Sequence, residues 1–410
     1  MKKIYFDHSA TTPVDAKVLD KMLPYFSDNF GNASSMHNFG QSAASAVDNA
    51  RRACASAFNC EPQEIIFTSG ATEANNLAIN GLLKALATQG HNDMHVITTI
   101  IEHDAIIEPC RELMRTKLAE VTYLGVKPNG VIDLAELEAS ITDKTVLVSV
   151  MYANSEVGAI QPIKEVGKII KKINEKRLAE WEKIRVADRG IKPTPIYFHT
   201  DATQAVNFLD CNIKALHVDM LSLSAHKIYG PKGVGALIIK EGTPVVAILK
   251  GGHQERNFRS GTLNVPGIVG MGEAVTLAVA NREANNEHVS ELRNYLAERI
   301  TKEIPQVVCN TDIPNATPSH AHFSFLGAEG ESILLALDME AGVAVSTGSA
   351  CASHTLKASR VLLAMGIRTE DTHGAIRFTL GKYNTKDDVD ELMKHLPGIV
   401  KKFRDMAPAY

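Results

Sequence analysis

Several features that would indicate other classes of protein are missing from this 410-residue chain. Lysine and arginine together number 43 against 47 aspartates and glutamates, and the net charge of −4 gives no basic surface for nucleic acid. No apolar run approaches the length that spans a membrane, and the first residues lack the apolar core of a signal peptide. We therefore expect a cytoplasmic protein that binds neither membranes nor nucleic acid directly.

Cysteine occurs only six times, and no two cysteines form a CxxC pair. Cysteine and histidine are nowhere spaced as in a zinc site, so we expect no metal centre. In a reducing compartment most cysteines are small buried apolar residues. Cys351 is different, because the small neighbours in its run VSTGSACAS cannot bury it well and predict a flexible loop.

What the sequence does contain is a long alternation of apolar strands and amphipathic helices. Hydrophobic residues make up 45% of the chain and charged residues 22%, as in soluble globular enzymes. Predicted strands include residues 64–67, 95–99, 146–151 and 196–198. Strands that alternate with helices over some 250 residues predict an α/β fold with a mostly parallel sheet between helices.

The length of the chain predicts two domains of unequal size. We place a large domain at residues 15–260 and a smaller α+β domain at residues 1–14 and 261–410. One long helix is expected from about residue 269 to 304. The highly charged stretch 174–193 is expected to be a helical extension on the surface.

Lys227 follows a buried strand in the run LSLSAHKIYGPKG. Leucines and serines alternate up to Ser224, and the glycines and proline after Tyr229 then end regular structure. A lysine at the end of a buried strand is poorly solvated, which favours a free amine able to attack an aldehyde. The ordinary alternative is a lysine whose stem passes the turn and whose ammonium stays in water.

Other polar residues also follow predicted strands, where the active crevice of an open α/β sheet forms. They are His103, Asn154, Ser155, Asp201 and Gln204. The small-residue turn 68–76 leads from a strand into a helix and either binds an anion or simply caps the helix. An amine, a carboxylate and an anion-binding turn together suit pyridoxal phosphate, which has an aldehyde, a pyridinium nitrogen and a phosphate.

Eight segments along nearly the whole chain carry a resemblance to a known family. They are YFDHSATTPVD, FTSGATEANNLAI, IEHDAI, HTDATQAV, SAHKIYGPKGVGAL, RSGTLNVP, VSTGSACAS and AIRFTLGK. Together they resemble the NifS/IscS-type cysteine desulfurases, which are class V, fold-type-I pyridoxal-phosphate enzymes. The resemblance implies a large domain with a mostly parallel seven-stranded sheet, and it implies a homodimer.

The resemblance also assigns cofactor-binding roles by position. Lys227 matches the lysine that binds the cofactor covalently and shuttles a proton, and Asp201 matches the aspartate that keeps the pyridine nitrogen protonated. His103 matches the imidazole stacked on the ring, and Gln204 matches the amide near the phenolic oxygen. Thr262 matches a residue that the second subunit contributes to the phosphate. The other matches to phosphate contacts are Ala71, Thr72, Ser224 and His226.

The substrate roles follow in the same way. Arg377 matches the arginine that binds the substrate carboxylate, since its planar fork suits a bidentate contact, and Asn32 is a second match. Cys351 matches the nucleophile that takes sulfur from L-cysteine, leaving L-alanine, and passes it as a persulfide to an acceptor. His103 is expected to act as acid and base in the thiol steps. The acceptor would be an iron–sulfur scaffold or a tRNA-thiolation carrier.

Three other functions remain open at this point. A selenocysteine lyase would use the same site, a class V aminotransferase would not need Cys351, and an inactive partner-binding scaffold would not need Lys227 and Asp201. The chain also departs from the family at Ser155, where relatives usually carry asparagine. Either Asn154 replaces that hydrogen bond, or the bond is shorter or absent.

Overall fold

The computed structural model describes residues 3–184, 193–348 and 358–406. Cys351 and part of the charged stretch 174–193 lie outside these ranges. The strands are β1 (Ile4–Tyr5), β2 (Ile65–Thr68), β3 (Met94–Thr99), β4 (Ala119–Leu124), β5 (Thr145–Ser149), β6 (Tyr197–Asp201), β7 (Met220–Ser224), β8 (Gly235–Ile239), β9 (Val307–Cys309), β10 (His320–Phe325), β11 (Val343–Ala344) and β12 (Ala375–Thr379).

Helices occupy most of the remaining chain. They are α1 (Ala16–Met22), α2 (Pro24–Ser27), α3 (Asn38–Phe58), α4 (Ala71–Asn76), α5 (Leu82–Thr88), α6 (Asp104–Arg115), α7 (Leu134–Ser140), α8 (Ile163–Lys183), α9 (Ile213–Leu216), α10 (Val265–Ala280), α11 (Arg282–Glu303), α12 (Gly330–Ala336), α13 (Arg360–Ala364), α14 (Thr369–Thr372) and α15 (Lys386–Met406). Within the described ranges, none is both long and apolar enough to cross a membrane.

A seven-stranded sheet forms the centre of the larger part of the chain. Its order is β2-β8-β7-β6-β5-β3-β4. Strand β8 runs antiparallel to β2 and β7, while the other neighbouring pairs are parallel. Helices α3, α8 and α10 cover one face and α4, α5 and α6 the other. The strands β3, β5 and β7 are buried along their whole length, as expected for parallel strands between two helical layers. The predicted fold class is confirmed.

The second part of the chain has its own sheet and core. Strands β12, β10 and β9 form an antiparallel sheet in that order, and β1 pairs in parallel with β11. Apolar residues of β1, α11, α12 and α15 pack with β10 and β12 in one cluster. The chain therefore begins in this second unit and returns to it after α10.

The prediction of a single helix from about residue 269 to 304 is wrong. Two helices, α10 and α11, meet at Asn281, whose φ of −109° and ψ of 10° interrupt the helix. Apolar residues of α10 such as Met271 pack in the core of the seven-stranded sheet, whereas Leu296 of α11 packs in the second core. The predicted domain boundary at residue 260 stays a prediction. From the packing of α10 and α11 we propose that the boundary between the two units lies after Ala280.

A buried ion pair fixes the loop that follows β8. Arg51 of α3 donates to both carboxylate oxygens of Glu255, at 2.6 and 3.0 Å, and the backbone N–H of Phe67 donates to the same carboxylate at 2.8 Å. Glu255, Arg256 and Asn257 all have positive φ, of 43°, 52° and 70°. Three consecutive left-handed residues other than glycine are strained, so this ion pair holds the loop in a conformation that it would not adopt alone.

Replacement of Arg51 by alanine should destabilise the protein by about 3–5 kcal/mol, because it leaves the Glu255 carboxylate buried and unpaired. Urea unfolding monitored by circular dichroism measures the change. Arg115→Ala is the matched control, because that arginine pairs with Glu112 on the exposed surface and should produce no measurable change. Equal effects of the two substitutions would contradict the structural role of the buried pair.

Candidate active site

A cleft of about 770 Å³ opens at the carboxyl ends of β3, β5, β6 and β7, within the size range of small-molecule sites. The loop 9–11, which follows β1, forms another part of its wall. Most of the predicted site residues line this cleft. They are Ala71, Thr72, His103, Asp201, Gln204, Ser224, His226, Lys227 and Arg377.

Lys227 lies in a 3₁₀ turn, Ala225–Lys227, directly after β7. Its Nζ donates hydrogen bonds to the backbone carbonyl oxygens of Ser9 and Ala10. The Asn207 side chain donates to the Lys227 carbonyl oxygen at 2.7 Å and fixes the backbone from the other side. The amine is thus held inside the cleft by neutral carbonyl dipoles, which leaves it close to an incoming aldehyde.

Asp201 is the last residue of β6, and only 7% of its surface is exposed. Its Oδ2 accepts a hydrogen bond of 2.7 Å from the side-chain amide of Asn75, and its Oδ1 accepts one of 2.9 Å from the backbone N–H of Thr203. Both donors are neutral, so they orient the carboxylate without cancelling its charge. A buried carboxylate held in this way suits a positively charged ring nitrogen.

The predicted anion-binding turn lies between β2 and α4. Helix α4 continues through a π-helical turn, Leu77–Gly81, into α5, so the turn begins a long helix with free backbone N–H groups. Strand β8 passes close beneath it at Gly235, where a Cβ would lie 2.7 Å from the Gly70 Cα. Glycine is therefore required at position 235 for the turn to pack against the sheet.

His226 and Glu73 adjoin this turn. Burial, with Lys227 and Lys232 nearby, lowers the pKa of His226 to about 4, so the ring is neutral near pH 7, and its Nδ1 lies 3.1 Å from Thr11 Oγ1. Glu73 accepts from the backbone N–H of Ser69 at 2.7 Å and pairs with Arg259 at 2.8 Å. The acidic residue at the turn is thereby neutralised by an arginine, which keeps the turn suitable for an anion.

His103 caps the helix α6 at the rim of the cleft. Its Nδ1 accepts a hydrogen bond of 3.0 Å from the backbone N–H of Ala105, so the ring proton sits on Nε2. The Gln204 side chain donates to the Ser9 carbonyl oxygen at 3.0 Å. Both residues line the cleft together with Lys227 and Asp201, and their roles stay predictions.

Arg377 lies in β12 at the other end of the cleft and is almost fully buried. Its Nη2 pairs with Asp7 Oδ1 at 2.7 Å and its Nη1 donates to the Ser155 carbonyl oxygen at 2.9 Å. Its Nε is buried and has no hydrogen-bond partner among the described residues. Burial and the neighbouring Arg377 lower the pKa values of His320 and His322 to about 3, so both rings are neutral and the guanidinium carries the positive charge.

The structure answers the question raised by Ser155. The Asn154 side chain donates to the Ile101 carbonyl oxygen at 3.1 Å, and its Oδ1 accepts from the backbone N–H groups of Glu156 and Val157. Asn154 therefore stabilises its own loop and does not replace the missing asparagine. Ser155 contributes its backbone carbonyl oxygen instead, which accepts from Arg377.

Three predicted residues are not among those lining the cleft. Asn32 is exposed, and its side chain accepts from the backbone N–H of Ser34. Thr262 is exposed on the loop after β8. Cys351 lies outside the described residues, but Gly348 before it and Ser359 after it both line the cleft. The roles of these three residues stay predictions.

Sequence reasoning gave no role to three residues that the structure places in or beside the cleft. Asn75 orients Asp201, Asp7 pairs with Arg377, and Glu102 lies buried in the cleft wall. Glu102 and Asp7 could have been singled out, because each is an acidic residue directly after an apolar run. Asn75 had no such signal, since it lies among polar and small residues and its partner Asp201 is 126 positions away.

A cleft with these groups, at the carboxyl edge of a mostly parallel sheet, defines an α/β enzyme that binds pyridoxal phosphate. The sequence profile of the family described as Aminotransferase class-V matches residues 4–179 and 183–392. The cysteine desulfurase IscS of Dictyoglomus turgidum (strain DSM 6724 / Z-1310) is 44% identical over 407 residues, which are 99% of this chain and 97% of that protein. The chain belongs to the class-V aminotransferase family, among its NifS/IscS-type cysteine desulfurases.

Solved structures of related proteins agree with this assignment. A NifS-like protein has a TM-score of 0.86 and 34% identity, and the match covers 98% of this chain and 100% of that one. The structure of SspA in complex with cysteine has a TM-score of 0.77 and 33% identity, with 94% and 100% covered. Members of this family use pyridoxal phosphate. The residues present fit this cofactor. Its aldehyde suits the Lys227 amine, its ring nitrogen suits the Asp201 carboxylate, which accepts only neutral donors among the described residues, and its phosphate suits the turn before α4.

Replacement of Asn75 by alanine should weaken the binding of pyridoxal phosphate about ten- to a hundredfold, because a hydrogen bond to a charged group contributes about 1.5–3 kcal/mol. Without that amide the Asp201 carboxylate can rotate away from the ring nitrogen. Titration of the cofactor-free protein, followed by visible absorbance, measures the affinity. Asn80→Ala is the control, because Asn80 lies on the same continuous helix and its amide donates to the Asn76 side chain rather than to Asp201. Unchanged affinity in Asn75→Ala would remove Asn75 from the site.

Proposed function

We propose that this protein is a pyridoxal-phosphate-dependent cysteine desulfurase. It converts L-cysteine into L-alanine and passes the sulfur, held as a persulfide on Cys351, to an acceptor. The observation that carries this proposal is that Lys227, Asp201 and Arg377 lie in one cleft of a chain 44% identical to a cysteine desulfurase. The bound cofactor would supply an electron sink for the electrons released when the substrate Cα loses its proton.

Residues at four places in the chain would hold the cofactor. Lys227 Nζ would bind its aldehyde, Asp201 would pair with the ring nitrogen, and His103 would stack on the ring. The phosphate would lie at the start of α4, with contacts from Ala71, Thr72, Ser224 and His226. Since His226 is neutral near pH 7, it would contribute a hydrogen bond to the phosphate and no charge.

Arg377 would bind the substrate carboxylate. Its two terminal nitrogens contact Asp7 and Ser155, and these contacts fix the plane of the guanidinium. The buried Nε is then the donor left to pair with a carboxylate oxygen, together with the second hydrogens of the Nη groups. With the carboxylate placed there, the substrate Cα could face Lys227, whose amine would take the Cα proton.

Cys351 would attack the substrate sulfur as a thiolate and keep it as a persulfide. Its neighbours Gly348 and Ser359 border the cleft on the side of Glu156, which supports the delivery of its thiol to the substrate. Because its Nδ1 accepts from the Ala105 N–H, His103 would donate a hydrogen bond from Nε2–H to the reacting sulfur, and its role as acid and base stays a prediction.

Replacement of Cys351 by serine should preserve cofactor and cysteine binding but abolish the release of alanine and sulfide, because a hydroxyl cannot take up the sulfur. The visible spectrum and its change on addition of L-cysteine report binding, and alanine and sulfide assays report turnover. Cys309→Ser is the matched control, because Cys309 lies on the edge strand β9, away from the cleft. Full sulfide production by Cys351→Ser would refute the assignment.

The proposal includes a homodimer. Large apolar side chains are exposed along residues 23–39, namely Leu23, Phe26, Phe30, Met36 and Phe39, with Met36 at 93% exposure. An apolar surface of this kind is typical of a subunit interface. The exposed Thr262 would reach the phosphate of the partner's site from the same assembly.

Light scattering on a sizing column should therefore give about twice the mass of the 44.5 kDa chain. The double substitution Phe30→Ser, Met36→Ser should shift the protein towards monomer, because it removes apolar area from the interface. Leu335→Ser, Met339→Ser is the control, since these two exposed residues lie near α12 in the second unit. A monomeric unsubstituted protein would contradict the dimer.

The acceptor and location belong to the same proposal. A persulfide on an accessible cysteine can pass its outer sulfur to a thiol of an acceptor protein by thiol exchange. An iron–sulfur scaffold or a tRNA-thiolation carrier would serve as this acceptor. Such chemistry suits the reducing conditions of the cytoplasm.

A further inference from the structure

Glu102 is a buried carboxyl group in the wall of the cleft, one residue before His103. Only 1% of its surface is exposed. Its Oε1 accepts two hydrogen bonds, one of 2.7 Å from the Met151 backbone N–H and one of 3.1 Å from Thr99 Oγ1. Its Oε2 is buried and has no hydrogen-bond partner among the described residues. One oxygen thus ties the end of β3 to the chain after β5, while the other accepts nothing there.

The charged groups around Glu102 do not form an ion pair with its carboxyl group in the part of the chain that the structure describes. Arg360 is a cation close enough to act on Glu102, but its guanidinium donates to the carbonyl oxygens of Ile100 and Glu102 and to the Asp104 carboxylate. Asp201 on β6 adds a like charge, and Cys110 on α6 is a buried thiol. A carboxylate in this position would be desolvated and uncompensated.

We propose that Glu102 is a positioning residue of the active site and works as an un-ionised carboxylic acid. In that form the proton sits on Oε2, and Oε1 keeps both of its hydrogen bonds. The acid fixes the turn that carries His103 against the strand end that leads to Asn154, and it adds no second negative charge beside Asp201. The functional part of this inference depends on the proposed desulfurase activity.

The pKa of Glu102 agrees with this geometry, because burial raises it from 4.5 to about 8. Since the folded state keeps the proton up to a higher pH than the unfolded state, the contribution of Glu102 to stability is complete below pH 4.5. It is lost as the pH rises towards 8, by at most about tenfold in the unfolding equilibrium constant per pH unit. Above that pH both states are ionised and no further change arises from this group.

The substitution Glu102→Gln tests whether the carboxyl group is un-ionised. The glutamine amide places an acceptor where the acid has Oε1 and a donor where the acid has Oε2–H. Glu64 is the matched control. It is also buried, but each of its two oxygens accepts from a backbone N–H, from Glu61 and from Glu241 at 2.8 Å. Glutamine at position 64 must therefore turn an NH₂ group against an N–H donor, whereas glutamine at position 102 need not.

The first measurement is urea unfolding of the full-length, cofactor-loaded protein at pH 5.5, 7.0 and 8.5. The stability of Glu102→Gln relative to the unsubstituted protein should rise from pH 5.5 to pH 8.5, by up to about tenfold in the unfolding equilibrium constant per pH unit until pH 8. Glu64→Gln should be less stable than the unsubstituted protein at all three values. If Glu102→Gln loses as much stability as Glu64→Gln, or falls with pH as the unsubstituted protein does, Glu102 is a carboxylate and the inference is overturned.

The second measurement is alanine formation from L-cysteine. Glu102→Gln should keep kcat and KM within about twofold near pH 7, whereas Glu102→Ala should lower kcat at least tenfold, because Met151 N–H and Thr99 Oγ1 lose their acceptor. A folded but inactive Glu102→Gln would show that the charge is needed and would overturn the inference. If the unsubstituted protein forms no alanine, the proposed function fails, and the unfolding comparison still decides the state of Glu102.

Discussion

The Asp201 carboxylate is the group on which the arrangement of the cleft depends. It is buried at the end of β6 and is coordinated by one amide and one backbone N–H, both neutral. A carboxylate in this environment is stabilised far less than one beside a cation. The positive ring nitrogen of the cofactor would provide that partner, and a ligand that binds only the folded state stabilises it. Cofactor binding and the stability of the sheet edge are therefore linked through one side chain.

The first residues of the chain connect the two units around this cleft. Strand β1 pairs with β11 in the second unit, and Asp7, just after it, pairs with Arg377. The next residues turn to the large sheet, where the Ser9 and Ala10 carbonyl oxygens accept from Lys227. One short segment thus contacts both Lys227 and Arg377, although these two residues follow or belong to strands of different sheets.

Much of the fold and of the candidate site could be predicted because their signals are local. Apolar strands alternate with helices, Asp201 ends a buried strand and Lys227 closely follows one, and polar residues of such sheets collect at the carboxyl ends of the strands. The division between α10 and α11 could not be predicted, because no glycine or proline marks Asn281. The bonds from Asn75 to Asp201 and from Asp7 to Arg377 join residues 126 and 370 positions apart. Such contacts depend on how the units pack, which no local pattern records.

The distribution of charge in the cleft explains how an amino acid would be oriented there. Burial keeps His320 and His322 neutral, so the positive charge beside Ser155 is on Arg377. A substrate carboxylate would pair with Arg377 there, although Asp7 already offsets part of that charge, and the substrate amino group would then lie towards Lys227 and Asp201. With its carboxylate and its amino group placed in this way, the substrate would turn its side chain towards the rest of the cleft. Gly348 and Ser359 border that wall, and since Cys351 lies between them in sequence, orientation by charge would bring the substrate thiol towards the predicted nucleophile.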